Sequence, residues 1–398
     1  MVGSQIILKL FPHGTLGREL LLTALTPLAF ATSSGGGTLE VREAEAVVAG
    51  GVSSLYNVFA AAQASVQDKN QLPKIRPHYN DMQVMGKIKK KLGLSCNDTY
   101  VDYGVALSDW AMRDLLKNQA QWEQSLGQVN HSPNSIIFGD AESAFSGFQP
   151  LKIEKYKYGK QFDDLRAQQD IKMDERWVAL VMAGFLISYS IYSEGEMIFS
   201  TVPEEVILRA ATDLNWLNYV AALTKNIRGA TVIQKYLNVA YDLRIRPDLH
   251  HAYSMLLALY LKQQTKQSGL SLLEAPPVIF NRVQFTGRNF SLLEKTPINV
   301  SILAPFVERI SLSEHAESVL IQFLKCTLTQ LSSNNRYCSE RFGDFSLCNR
   351  LSKALYDAAV KTRSASEVVY MMARSSPENS PLREERFLTA VYDALTSY

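Results

Sequence analysis

The sequence predicts a mainly α-helical protein of two packed lobes. Its 398 residues exceed the size at which a single hydrophobic core keeps growing, so two domains of ordinary size are expected. Apolar residues make up 46% of the chain and charged residues 20%, which is typical of folded domains and not of disordered ones. After residue 40, helix-start signals and apolar positions at helical spacing recur. Together these observations favour helical lobes with a large core.

The first forty residues differ from the rest, and residues 1–40 are predicted to form an extended N-terminal arm. Two short apolar runs, IILKLF and LLLTALTPLAFA, are separated by PHG and followed by SSGGGT. Such short runs suit strands or an arm. The SSGGGT segment lacks the spacing and the lysine of a phosphate-binding loop, so it is interpreted as a flexible turn.

Residues 41–220 are predicted to form the N-terminal helical lobe. Ser108 is a candidate cap for a helix that ends at Gly127, and the Gly-, Ser-, Asn- and Pro-rich residues 127–150 predict an irregular connection. The most apolar stretch runs from Trp177 to Tyr192. It is shorter than the roughly 20 residues that span a bilayer, so a buried core helix and no membrane insertion are expected.

Residues 221–374 are predicted to form the C-terminal helical lobe. A Ser/Thr-x-x-Glu pattern, which can cap the start of a helix, occurs three times. It is found at Thr201–Glu204, Ser311–Glu314 and Ser364–Glu367. Between the first two of these patterns, residues 269–300 contain APP, TGRN and KTP, which predict irregular structure.

Residues 375–398 are predicted to form a short helical C-terminal arm. Two Ser-Pro steps precede an amphipathic stretch with Phe387, Val391 and Leu395 on one side. A helix this short is marginal in water by itself, so its apolar side must dock. The docking surface is either the body of the same chain or a neighbouring copy.

Charge and cysteine content exclude several classes of protein. The net charge is only +2, so any nucleic-acid surface must be local. The four cysteines are spaced too widely for the usual zinc pairs and are expected to be free, reduced thiols, as in the cytosol. The N-terminus lacks the basic region and cleavage site of a signal peptide.

Templates for catalysis and metal binding are all incomplete, so no catalytic residue, metal or cofactor is predicted. Asp163, Asp164 and Asp170 approach the D-D-x-x-D pattern of Mg²⁺-dependent helical enzymes, but Ala167 interrupts it. His250 and His251 would point about 100° apart on a helix and cannot share a metal there. A Cys/His pair that meets only in space stays possible.

Basic residues give the most specific signal and are the candidate RNA-binding residues. Lysine neutralises phosphates and tyrosine stacks on bases, which are the two requirements of sequence-independent binding to single strands. For each run alone, a solvated helix or strand face is the alternative. The first run, IKKKLG, contains Lys87, Lys89, Lys90 and Lys91. The second, LKIEKYKYGK, contains Lys152, Lys155, Tyr156, Lys157, Tyr158 and Lys160. The third group, near the border of the lobes, comprises Lys225, Arg228, Lys235, Arg244, Arg246, Arg282 and Arg288.

This layout resembles the nucleoproteins of negative-strand RNA viruses. In that family two helical lobes clamp RNA in a basic groove, and terminal arms dock on adjacent protomers. The resemblance implies a non-enzymatic partner of single-stranded RNA that forms homo-oligomers through its terminal arms, with a viral polymerase cofactor as a further partner. It implies a location in the virion nucleocapsid and the host cytoplasm. A shell-forming capsid protein of an RNA virus and a cellular helical scaffold or adaptor remain open.

Overall fold

The computed structural model describes residues 5–33, 39–66, 77–132, 134–153, 170–193, 196–201, 203–204, 250–265, 272–274, 277–285, 290–330 and 336–397. The fold is mainly α-helical, which confirms the predicted class. The chain divides into two compact units. Unit 1 comprises Met1–Ala221 and Val278–Thr296, and unit 2 comprises Ala222–Pro277 and Pro297–Tyr398.

Unit 1 combines helices with short strands. Its described helices are α1 (Leu16–Ser33), α2 (Tyr56–Ser65), α3 (Tyr79–Leu92), α4 (Tyr100–Lys117), α5 (Gln119–Leu126) and α6 (Glu175–Ser188). Its described strands are β1 (Gln5–Lys9), β2 (Leu39–Val41), β3 (Glu45–Ala49), β4 (Val129–Ser132), β5 (Ser135–Phe138), β6 (Phe145–Ser146), β7 (Asp170–Met173), β8 (Tyr189–Ser193), β9 (Glu196–Thr201), β10 (Val278–Phe285) and β11 (Phe290–Ile298).

The strands form three small sheets around the helices. The first has the order β1-β3-β2 and is antiparallel. The second has the order β4-β5-β7-β6, in which β5 and β7 are parallel and the other pairs are antiparallel. The third has the order β11-β10-β9-β8.

Helix α6 is the centre of the unit 1 core, as the apolar stretch predicts. Every residue from Trp177 to Ser188 is buried, and the end of the apolar run continues as β8. Gly184 lets α6 approach α1 closely, since a Cβ atom there would lie 2.2 Å from the carbonyl oxygen of Leu20. The predicted core helix is therefore confirmed, but it ends at Ser188.

The start of α6 is fixed by a buried carboxylate. Asp174 accepts hydrogen bonds from the backbone N–H groups of Arg176 and Trp177, each at 3.1 Å, and from the Ser125 hydroxyl at 2.6 Å. Burial raises the pKa of Asp174 above its ordinary value. Gly139, at φ 89°, leaves room for this carboxylate, which a side chain at that position would strike.

The N-terminal segment lies in the core of unit 1 and does not extend from it. Leu8 of β1, Phe11 and Leu21 of α1 are each 0% exposed. The Phe11 ring also contacts Phe138 at a centroid distance of 4.4 Å. The described residues 5–33 therefore correct the predicted extended arm, because their apolar runs are buried against the helices that follow.

Two segments that were predicted to be irregular contain strands. Residues 127–150 hold β4, β5 and β6, and residues 269–300 hold β10 and β11. Apolar and aromatic residues in VIFNRVQF provide the strand preference that the nearby Pro and Gly residues obscure. Helix α4 also begins earlier than predicted, with Thr99 as its cap, and Ser108 lies buried within it.

Unit 2 is helical in its described part. Its helices are α7 (His250–Thr265), α8 (Ala304–Ile310), α9 (Glu314–Thr329), α10 (Arg336–Phe342), α11 (Phe345–Ala359), α12 (Ala365–Ser375) and α13 (Glu385–Thr396). His251 is 1% exposed, and its Nε2 atom lies 3.0 Å from the Ser352 hydroxyl.

The predicted helix starts are partly correct. Ser364 precedes α12 as expected. The cap of α9 is Ser313 and not Ser311, because the Ser313 hydroxyl accepts from the Ala316 N–H at 3.3 Å. Thr201 lies in β9 and its hydroxyl donates to Glu19 at 2.9 Å, so it does not pair with Glu204 as a capping box.

The C-terminal helix α13 docks on its own chain. Phe387, Val391 and Leu395 are buried, and α13 packs against α8, α9 and α12 of the same unit. This resolves the alternative left by the sequence in favour of the chain's own body. Residues 385–396 are therefore part of the unit 2 core.

Two cysteines in unit 2 form a disulfide bond, which corrects the prediction that all four are free. Cys326 of α9 and Cys338 of α10 have Cα atoms 5.4 Å apart, within the range a disulfide requires. Cys96 and Cys348 are free thiols.

Candidate nucleic-acid interface

Helix α3 carries the first of the predicted basic clusters and is well bounded. The His78 side chain accepts a hydrogen bond from the Asn80 N–H at 3.3 Å, and Gly93 ends the helix at φ 66°. Asp81, Met85 and Ile88 face the protein and are buried. The opposite side of the helix faces solvent.

Two of the four lysines in this cluster are committed to contacts within the protein. Lys89 Nζ donates to the carbonyl of Cys96 at 2.8 Å and to the Asp98 carboxylate at 2.6 Å. Lys91 Nζ donates to Glu175 at 2.8 Å and lies 5.4 Å from the centre of the Phe145 ring. Lys89 and Lys91 therefore have acidic partners within the fold, and their charges are partly compensated.

The other two lysines are exposed on the outer side of α3. Lys87 and Lys90 have no ion-pair partner among the residues that the structure describes. Their charges are therefore not compensated locally by a described carboxylate. This is the chemical arrangement that attracts phosphate.

Sequence reasoning missed the residues that accompany these lysines. Tyr79, Gln83, Gly86 and Lys90 are all exposed and lie within about 60° of one another around the helix axis, given 100° per residue. We call these four residues the α3 stripe. Tyr79 is 64% exposed, and the Gln83 side-chain amide donates to its hydroxyl at 2.9 Å. Their i, i+4, i+7, i+11 spacing could have revealed the stripe once the helix was placed.

Asp81 of α3 is hydrogen-bonded to Gln149, which lies just before the second basic cluster. Its carboxylate accepts from the Tyr100 hydroxyl at 2.5 Å and from the Gln149 N–H at 3.0 Å. Burial raises the pKa of Asp81 to about 6, although the Tyr100 and Gln149 hydrogen bonds act in the opposite direction. The chain therefore passes beside α3 just before the second predicted cluster.

Lys152 is the one residue of the second cluster that lies among the described residues. Its Nζ lies 2.6 Å from the Asp170 carboxylate and donates to the Ser146 hydroxyl at 2.5 Å. It is half-buried and held by these partners. Asp170, the last acid of the tentative D-D-x-x-D pattern, is thus engaged in an ion pair with lysine.

Most of the other predicted positions lie outside the described residues. Arg282 is described and is half-buried in β10, where it pairs with Ile198 of β9. The positions outside the described ranges are Lys155, Tyr156, Lys157, Tyr158, Lys160, Lys225, Arg228, Lys235, Arg244, Arg246 and Arg288.

A second polar cluster in unit 1 has a structural role. The Arg18 side chain is 1% exposed and donates to both oxygens of the Glu204 carboxylate, at 2.8 and 2.6 Å, and to the Phe11 carbonyl at 2.8 Å. Burial acts to raise the pKa of Glu204, but Arg18 and His13 lower it below its ordinary value. The buried Arg18 guanidinium and its partly buried partner Glu204 satisfy each other and hold α1 in place.

The described residues contain no group of three or more His, Cys, Asp or Glu side chains placed to hold a metal ion. No helix among them combines the length and apolar character needed to cross a membrane.

Comparison with protein-family models, curated proteins and solved structures finds no significant match to this chain. The proposal for its function therefore rests on the side chains and contacts of the described residues.

Proposed function

We propose that the chain binds single-stranded RNA without reading its sequence, as a nucleoprotein of the viral type does. The observation that carries the proposal is the pair of exposed, uncompensated lysines on α3, Lys87 and Lys90. Phosphate contacts provide most of the affinity in binding of this kind. The role is non-enzymatic, in the virion nucleocapsid and the host cytoplasm.

The chain reaches its second predicted basic segment beside the same helix. Gln149 is bonded to Asp81 of α3, and the sequence continues from Ile153 into the Lys/Tyr segment at residues 155–160. Residues 155–160 lie outside the described residues, so their part in RNA binding stays a prediction from the sequence. Lys152 contributes to the fold of this region through Asp170 and is not among the proposed phosphate contacts.

Self-assembly on RNA is also part of the proposal, but the proposed mechanism is no longer the docking of terminal arms. Docking of terminal arms on neighbouring protomers was the expected route to homo-oligomers. The described parts of both terminal segments, β1 with α1 and α13, are buried within their own units. We therefore propose that the RNA strand itself aligns successive copies. A viral polymerase cofactor stays a proposed partner.

The test is the salt dependence of binding to a fluorescein-labelled 20-nucleotide oligouridylate, followed by anisotropy. Each phosphate contact with a single strand contributes about 0.7 to the slope of log K against log salt. The double variant K87A/K90A is expected to bind more weakly and to lower that slope by about 1.4.

The matched control is R113A/K117A, which removes two exposed cations from α4 in the same unit. It changes the net charge equally and is expected to leave the slope nearly unchanged. An unaltered slope in K87A/K90A, or the same loss in both variants, would refute binding at α3. A cellular scaffold, the alternative class, would show no salt-dependent affinity for the oligonucleotide.

A further inference from the structure

Gly86 in the middle of α3 has no structural explanation among the described residues. Its φ is not in the left-handed region, and a Cβ atom added to it would meet nothing within 4 Å. Glycine in the interior of a helix is destabilising relative to alanine. The residue therefore weakens α3 without easing any described contact.

The position of Gly86 within the α3 stripe suggests what the glycine provides. It lies between Gln83 and Lys90 on the outermost line of the helix, one turn from each. Because Gly86 has no side chain, the helix surface is open at this position. Lys90 lies on one side of the opening, and Tyr79, bonded to Gln83, lies on the other side. Glycine is the residue that allows another backbone to approach closely.

We infer that a single RNA strand runs along the α3 stripe, passing over Gly86 with its backbone, stacking a base on Tyr79 and placing phosphates at Lys87 and Lys90. This inference rests on the proposed function and adds the path of the strand. From Tyr79 to Lys90 the stripe extends about 16 Å, at 1.5 Å per residue.

The ring of Tyr79 is suited to stacking. It is 64% exposed, and the hydrogen bond from Gln83 to its hydroxyl limits the orientations of the ring. A base stacked on an aromatic side chain is bound regardless of its identity, which agrees with binding that does not read sequence. Charge and aromatic surface thus occur together on one exposed line.

The decisive variant is G86L, since leucine favours the helix and covers the opening. The protein has space for the side chain, so the unfolding midpoint should stay the same or rise. Affinity for the labelled oligouridylate is expected to fall at least five-fold. A structural role for Gly86 would instead lower stability.

A120L is the matched control, because Ala120 is also an exposed helical position of unit 1 but lies on α5, outside the α3 stripe. It adds a leucine to an exposed helix surface and should leave binding unchanged. Y79L should weaken binding about five-fold or more, whereas Y79F keeps the ring and should retain affinity.

The possible results distinguish the proposed function, RNA binding at α3, from the inferred path of the strand over Gly86. If K87A/K90A weakens binding but G86L binds as tightly as wild type, the strand does not cross Gly86 and this inference is overturned while the proposed function stands. If neither variant changes affinity, both the proposed function and this inference are refuted. Equal losses in G86L and A120L would indicate a nonspecific effect of added bulk and would also overturn the inference.

Discussion

Replacing Gly184 by alanine would test the close crossing of α1 and α6 at the centre of unit 1. A Cβ atom at Gly184 would lie 2.2 Å from the Leu20 carbonyl oxygen and 3.3 Å from the Cβ atom of Ala24. Relief of the first contact requires the two helices to separate locally by about 1 Å, and a gap of that size forfeits up to half of the dispersion energy of the affected atom pairs.

The expected magnitude follows from two opposing effects. Alanine in place of glycine stabilises the interior of a helix by about 0.5–1 kcal/mol. An extra carbon in a well-packed core costs about 1–3 kcal/mol, and α6 cannot move toward solvent because it is buried along its length. The free energy of unfolding of unit 1 should therefore fall by about 1–2 kcal/mol.

Tryptophan fluorescence during urea unfolding would measure this change selectively. The residue ranges of unit 2 contain no tryptophan, so the signal reports on unit 1. G86A is the matched control, since the same substitution meets open space there and should raise stability by up to about 1 kcal/mol. A G184A variant as stable as wild type, or one that shifts in the same direction as G86A, would refute the packing argument.

Two further predictions concern pH and the C-terminal helix. The folded pKa of Asp81 is raised from 3.8 to about 6, so the stability linked to this group is complete below pH 3.8 and is lost as pH rises through 6. D81N should therefore flatten the decline in unfolding free energy of unit 1 between about pH 4 and pH 6, an effect on the order of 2 kcal/mol. Deleting residues 385–398 removes the buried Phe387, Val391 and Leu395, and should abolish cooperative unfolding of unit 2 as followed by circular dichroism. The fluorescence transition of unit 1 should persist in this variant.

Clear results would contradict each of these two predictions. A pH dependence of D81N that parallels that of wild type would show that Asp81 is not the titrating group. A truncated chain that keeps a folded unit 2 and loses only self-association would show that α13 is an exchangeable arm, as the sequence alone allowed. Limited proteolysis would distinguish a folded unit 2 from an unfolded one.

The parts of the fold that could be predicted are those encoded by local pattern. The run from Trp177 onward is too apolar to face solvent, and it forms the buried helix α6. The apolar spacing of Phe387, Val391 and Leu395 likewise specifies the buried side of α13. In both cases a helix period within one segment carries the information.

The remaining features depend on partners distant in sequence. Lys91 and Glu175 are 84 positions apart, and Lys152 pairs with Asp170. Nothing local distinguishes these paired lysines from the exposed Lys87 and Lys90. The strand β10 was missed because nearby Pro and Gly residues obscure its strand preference, and one of its two neighbours, β9, ends 77 positions earlier, at Thr201. Pairing of this kind is a property of the tertiary structure.

Unit 1 is built from two separate stretches of the chain, and this affects how the chain folds while it is being synthesised. Its sheet of β8 to β11 is completed only by residues 278–296, which follow a long segment assigned to unit 2. While the ribosome is still translating that segment, β9 lacks its hydrogen-bonding neighbour β10, and an unpaired strand edge favours aggregation. Nascent chains are thus most vulnerable between the emergence of β9 and that of β10, which is when a chaperone would be most useful.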